Sequence, residues 1–346
     1  MTLPFTCKII TIDEFGAAVL DITPKELAEK GFELGDTLDF SFSGGARLED
    51  VPYFNGFYVR IYEPVLVAYP GFEHPSINYN CLKFNEKTGV TAGETVTISV
   101  HKKGGQKEVM DLRGVVYSND PKDYSSGERF ANARESRTGK IAPGKLYRCA
   151  SPFDHMMNRP EAVSMFLAEN HVRTTISISE TDETLQQRYA EMPPYAKQIC
   201  GNGHVLPLGL GAGYFSEEFR TGLTRGLIRA LDAPFPWAVH CLEGKDRTGF
   251  VCALLGALMG GSYRELVDDY MKTYDNYYGI TPETDPVRYK GFKTTFIDHY
   301  LRTFAGLGED EDPEGHDYSE GAADYLRAGG MTEEQIKRLK KILSEE

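Results

Sequence analysis

Five residues separate Cys241 from Arg247 in the run Pro236-Trp-Ala-Val-His-Cys-Leu-Glu-Gly-Lys-Asp-Arg-Thr-Gly249. A sulfur and a guanidinium at this spacing suit nucleophilic attack on a phosphoryl group, the sulfur attacking and the planar fork holding two oxygens. The spacing alone arises often by chance, and the flanking context makes it specific. An apolar run precedes His240, Gly244 falls three residues after the cysteine, Thr248 supplies a hydroxyl, and good helix formers follow. Cys7, Cys81, Cys149 and Cys200 have no arginine at the corresponding place.

Each residue type has a physical reason. A loop running into a helix N-terminus turns backbone N–H groups inward, and the helix dipole adds partial positive charge there. Phosphate oxygens match that field, and the same field favours thiolate over thiol at Cys241. Gly244 permits a backbone conformation that a side chain would block. Leu242, Glu243, Gly244 and Lys245 complete the phosphate-binding loop. Thr248 is placed to donate its hydroxyl to the sulfur when thiolate leaves, and His240 to fix the loop by hydrogen bonds. Lys245 offers a second cation at the pocket edge, suited to an additional phosphate, or reads as a solvated lysine.

These residues need a strand before the loop and a helix after it. From Lys145 onward the chain alternates strand candidates (Lys145–Cys149, Val172–Ser179, His204–Leu208, Trp237–Cys241) with helical stretches (Arg159–Asn170, Glu183–Glu191, Ser216–Leu231). That alternation predicts an α/β domain, a mainly parallel sheet flanked by helices. Ser262-x-x-Glu265 and Thr332-x-x-Gln335 read as capping boxes that start two later helices. Tyr263, Tyr270, Tyr274, Tyr277 and Tyr278 share helical spacing and read as packing residues. The acidic stretch Gly308–Asp317 reads as a solvated loop.

Residues 1–115 predict a separate β-rich domain, a small barrel or sandwich. Its strand candidates are Cys7–Ile12, Ala17–Ile22, Thr37–Phe42, Gly56–Tyr62, Val65–Ala68, Tyr79–Phe84 and Thr95–Val100, with Pro24–Lys30 as the only helical turn. Ile9–Thr23 resembles the start of the C-terminal barrel of S-adenosylmethionine hydrolase-type enzymes, and reads equally well as a generic hairpin. The polar, turn-rich residues 118–140 are expected to hold the junction.

His240–Gly249 resembles the signature loop of the protein-tyrosine-phosphatase superfamily, nearest its bacterial branch with Cys-x-x-Gly-Lys-Asp-Arg-Thr. Gly144-Lys-Leu-Tyr-Arg-Cys-Ala-Ser151 is similar to that branch's first core strand, and Ala323–Gln335 resembles its C-terminal helices. The resemblance covers residues 120–346. It implies a phosphatase acting through a phosphocysteine, without metal or cofactor, on phosphotyrosyl protein, phosphoinositide or inositol phosphate. In typical members an aspartate on a loop before the cysteine is the general acid. Pro207–Glu218 occupies that place here and contains no aspartate. Asp246 is the first candidate for the acid and Asp182 the second, with a salt bridge to Lys245 or Arg247 and a helix cap as their respective alternatives. Glu217 or Glu218 comes third, and reads better as a helix start. Gly209, Gly211 and Gly213 suggest a flexible loop near the pocket. Two other readings stand beside the enzyme: a catalytically weak module that recognises phosphorylated partners, and a sulfurtransferase carrying persulfide on Cys241.

The composition narrows partners. Net charge is −13, divided as −5 over residues 1–113, −1 over 114–304 and −7 over 305–346. An acidic surface excludes a nucleic-acid binder and disfavours standing adsorption to anionic lipid. A phosphorylated substrate must therefore be drawn in by a local positive pocket. Of six cysteines without metal-ligand spacing, most read as buried thiols and one as reactive. No apolar run reaches a membrane span and no signal peptide is visible, so a cytoplasmic site is the expectation. Oligomeric state has no signature in the sequence.

Overall fold

The computed structural model describes residues 3–344 and divides into two compact units, one ending at Val116 and the other beginning at Tyr117. The first unit is a closed barrel of seven strands. They are β1 (Phe5–Ile12), β2 (Ala18–Leu20), β3 (Thr37–Phe42), β4 (Arg47–Phe54), β5 (Pro64–Val67), β6 (Ser76–Tyr79) and β7 (Thr95–Lys102). Their order around the wall is β1-β2-β6-β5-β4-β3-β7, and β4–β5 is the parallel pair. Alternate residues such as Leu38, Phe40, Val51, Tyr53, Val96 and Ile98 point inward and fill the interior.

Three expectations for this unit are corrected. Gly56–Tyr62 is a loop, and the missing strand is β4, whose first half is too polar and exposed to read as a strand. Its register comes from β3, which places Leu38 opposite Val51. Tyr79–Phe84 is not one strand either. The chain leaves the sheet at Tyr79, passes Cys81 with φ of 62°, and starts a short helix, Phe84–Thr88, with Phe84 buried in the barrel core. That helix and Lys107–Arg113 add to the single helical turn expected at Pro24–Lys30.

The second unit is α/β. Its sheet runs β11 (Val205–Pro207), β10 (Thr174–Ser177), β12 (Trp237–His240), β9 (Leu146–Cys149), β8 (Arg134–Glu135). The first four strands are parallel, and β8 closes one edge antiparallel to β9. Residues 118–140 belong to this unit and include β8. Every residue of β12 is buried, as a central parallel strand covered on both faces requires. One face packs Tyr147, Cys149, Phe153, Val163, Leu167 and Ile199 into a core. The other carries the Asp246–Leu258 helix, whose residues from Thr248 to Leu258 are all buried. A helix apolar all round has to lie at the centre of its domain. Tyr263–Tyr278, Ile297–Ala305 and Ser319–Ala328 enclose it.

Both capping boxes form, at Ser262 with Glu265 and at Thr332 with Gln335. Pro194–Gly201 is a helix that the pattern did not announce. Among the described residues no helix is long and apolar enough to cross a membrane.

Candidate active site

Strand β12 ends at His240, the loop follows, and the Asp246–Leu258 helix begins at once. Gly244 adopts φ of +63°, and a Cβ there would lie 2.2 Å from the Cys149 carbonyl oxygen. Only glycine satisfies both conditions.

The loop is shaped by its carbonyls. Leu242 O accepts from Ser151 N at 3.1 Å. Glu243 O accepts from the Tyr277 hydroxyl at 2.6 Å and from Asn132 Nδ2 at 3.2 Å. Gly244 O accepts from Asn132 Nδ2 and Arg148 Nη2, each at 3.1 Å, and Lys245 O from Arg148 Nη2 at 3.4 Å. In a planar trans peptide the N–H points opposite its C=O. Four carbonyls drawn into the protein therefore turn the amides of residues 243–246 the other way, forming a nest for an anion beside the helix N-terminus.

Asn132 and Arg148 stand about a hundred residues before the loop and Tyr277 some thirty after it, and nothing in the sequence assigned any of them a part in holding it. Arg148 is fully buried and pairs with Asp269 at 2.6 Å, and Arg134 meets the same carboxylate at 3.2 Å. Burial alone would raise the Asp269 carboxyl; Arg148 and Arg134 more than offset it and hold it below the ordinary range. A folded-state value below the unfolded one contributes stability above the ordinary carboxylate range, lost as pH falls through the folded value. Asp269→Asn should cost about 3 kcal/mol in urea denaturation at neutral pH, because it leaves Arg148 buried without its partner. It should also flatten the fall of wild-type stability below about pH 4. A cost under about 1 kcal/mol, within the range of surface pairs, would deny the pair its structural role.

Cys241 is buried, 3% exposed. Arg247 is half-buried and donates Nη1 to Leu210 O at 3.1 Å, which aims the guanidinium. Burial works against its charge, and the neighbours, led by Cys241 and Tyr214, hold it above its usual value all the same. The Thr248 hydroxyl is buried with no hydrogen-bond partner in the protein, the Cys241 sulfur included.

His240 is fully buried, and neither ring nitrogen has a hydrogen-bond partner in the protein. The expected hydrogen bonds are thus replaced by packing: the ring lies edge-on to Phe153 at 5.3 Å, with Glu180 Oε2 at 3.8 Å from Nδ1. Burial keeps the imidazole below its usual value. Glu180, also buried, accepts from Ser151 at 2.5 Å, from Ser179 at 2.8 Å and from Ser177. Burial opposes its ionisation, and His240 with these three hydroxyls offsets that and keeps the carboxyl low. Nothing in the sequence marked Glu180 beyond the serines around it.

The acidic candidates separate clearly. Asp246 is the first residue of the helix, with Oδ2 3.7 Å from Lys245 Nζ. Lys245 lies closer to Glu243, at 2.9 Å, and donates to the Tyr278 hydroxyl at 3.3 Å. Asp182 is exposed in the first turn of the Asp182–Arg188 helix, whose cap is Thr181. It lines a cavity of about 350 Å³ with Leu185, Tyr189, Cys200 and Val205, and no residue of the 240–248 loop borders that cavity. Glu217 and Glu218 are exposed in the first turn of a helix capped by Ser216.

The glycine-bearing segment after β11 is hydrogen-bonded to the sheet side at its first residues. Leu208, Gly209 and Leu210 donate backbone hydrogen bonds to Ser177, Glu180 and Ile178, and Tyr214 stacks on Phe250 at 4.9 Å. The tyrosine stretch packs as expected at Tyr270 and Tyr274, which lie against Tyr300, Phe292 and Phe296. Tyr277 departs from that reading by reaching the loop. Among the described residues no cluster of His, Cys, Asp and Glu could hold a metal ion.

Over 71 residues the chain is 35% identical to the triple specificity protein phosphatase PtpB of Mycobacterium tuberculosis (strain ATCC 25618 / H37Rv), covering 18% of this chain and 26% of that protein. The chain thus spans about a quarter of the length of this curated relative. Among solved structures, P. aeruginosa TpbA aligns at 18% identity over 61% of this chain and 98% of its own, with a TM-score of 0.23. An uncharacterized conserved protein from Thermotoga maritima aligns at 14% identity over 28% of this chain and 35% of its own, with a TM-score of 0.25. The profile of the tyrosine phosphatase family matches residues 130–345, well over half of the sequence, and the chain belongs to that family.

Proposed function

We propose that the chain is a phosphatase that hydrolyses phosphate monoesters through a phosphocysteine intermediate, with Cys241 as nucleophile. The observation that carries this reading is the tethered loop: four carbonyls held back, Cys241 buried at its base, and Arg247 aimed from the first turn of the helix. The phosphoryl oxygens take the loop amides and the guanidinium, whose charge stabilises the transition state. The sulfur forms a bond to phosphorus as the bond to the ester oxygen breaks, and Asp246 gives that oxygen its proton. Water then attacks phosphorus, Asp246 takes a proton from it, and the thiolate leaves with the Thr248 hydroxyl donating to sulfur. Membership of the tyrosine phosphatase family supports phosphotyrosine as a substrate, and the similarity to a triple specificity protein phosphatase supports more than one class of phosphate monoester.

Acid quenching during turnover of a phosphorus-labelled aryl phosphate tests the reading. Label should remain on the Cys241 peptide, and turnover without labelled protein would rule out the covalent path. Asp246→Asn tests the acid. Its rate loss should be on the order of 10²-fold for alkyl phosphates, whose leaving oxygens need the proton, and much smaller for nitrophenyl esters. Equal losses for both would remove Asp246 from the role.

A further inference from the structure

Glu243 places a carboxylate two residues after the nucleophile, inside a loop built to attract anions. It is fixed rather than merely present. Its main-chain carbonyl is held by Tyr277 at 2.6 Å, and its side chain, 12% exposed, accepts from the Tyr117 hydroxyl and pairs with Lys245 at 2.9 Å. Burial would raise this carboxyl, and Lys245, Tyr117 and Arg159 hold it low instead. Lys245 therefore does not extend freely toward a ligand. It lies between Glu243 and Asp246, at 2.9 and 3.7 Å, with the Tyr278 hydroxyl at 3.3 Å. The ammonium is therefore matched by the Glu243 carboxylate and offers no unpaired positive charge at this edge. Beside it, the half-buried rings of Tyr117 and Tyr278 lie 5.7 Å apart.

We propose that Glu243 is a specificity-determining residue, a charge filter that sets the site for phenolic esters bearing one phosphate and against ligands with a neighbouring second phosphate. The proposal rests on the phosphatase reading for its substrates. Its mechanism is electrostatic: the cation that a second phosphate would need is already neutralised by Glu243, so that phosphate gains no unpaired positive partner. The scissile phosphate is served separately, by Arg247 and the loop amides.

The full chain is assayed on p-nitrophenyl phosphate and on inositol 1,4,5-trisphosphate, and the two values of kcat/KM are taken as a ratio. Glu243→Gln keeps the shape and removes the charge, and its one amide oxygen can still accept from the Tyr117 hydroxyl. It should move the ratio about tenfold toward the trisphosphate, the scale of one unit charge in a partly buried site. The gain should fall mostly in KM. Glu243→Asp, which keeps the charge, should hold the ratio near wild type. An unchanged ratio in the glutamine variant, or an equal shift in the aspartate variant, overturns the filter. Should Glu243→Gln fail to fold, the salt response of the wild type decides. A free lysine at a second phosphate makes trisphosphate affinity fall more steeply with added salt than that of p-nitrophenyl phosphate, whereas a neutralised edge makes the two fall alike. Titration calorimetry of the same two ligands in the Cys241→Ser background separates the two claims. Wild type inactive on both esters defeats the phosphatase reading, and the affinity ratio with and without Glu243→Gln still judges the filter.

Discussion

Cys241→Ser is expected to abolish turnover of aryl phosphates, with a loss on the order of 10⁴-fold or more, while substrate binding survives. A hydroxyl is a far weaker nucleophile near neutral pH than a thiolate, and no base lies ready to activate it. His240, the adjacent residue, is buried against Phe153 and turned toward Glu180. The amides of the loop and Arg247 stay in place, so the variant should hold phosphotyrosine with a Kd close to the wild-type value. Residual turnover above a hundredth of wild type, with binding unchanged, would move the nucleophile elsewhere.

Arg247→Lys should lose about 10²- to 10³-fold in kcat/KM, mostly in kcat. One guanidinium nitrogen is already spent on Leu210 O at 3.1 Å, which leaves the rest of the planar fork to meet two phosphoryl oxygens side by side. An ammonium is a point charge on a flexible stem and cannot hold the carbonyl and both oxygens together. The Leu210 carbonyl would lose its partner as well. A loss below tenfold would mean that charge alone suffices and that the fork is not what the transition state uses.

The chemistry-bearing loop was readable because all of it is local. A strand, a tight turn requiring glycine, and a helix opening on Arg247-Thr248 lie within thirteen residues, Trp237–Gly249, and each leaves a mark on residue type. The parallel sheet was readable for a related reason, since buried strands and amphipathic helices carry their periods in sequence. The barrel was harder. β4 looks polar along half its length, and only pairing with β3 and β5 makes it a strand. The paired reading of Lys245, as a second cation or as a solvated side chain, needed the positions of Glu243 and Tyr278 to be replaced by an internal ion pair.

By itself the sequence determined that a sulfur and a guanidinium share one helix-opening loop, and that an α/β domain follows a β-rich one. The tertiary structure alone decided how that loop is held. Asn132, Arg148 and Tyr277 reach its carbonyls from a turn, another strand and a later helix, and Asp269 neutralises Arg148 from that same later helix. Such contacts follow no period and no fixed spacing. A buried arginine is identical in sequence to an exposed one, and its role appears only when folding removes water and leaves carbonyls and a carboxylate as its partners.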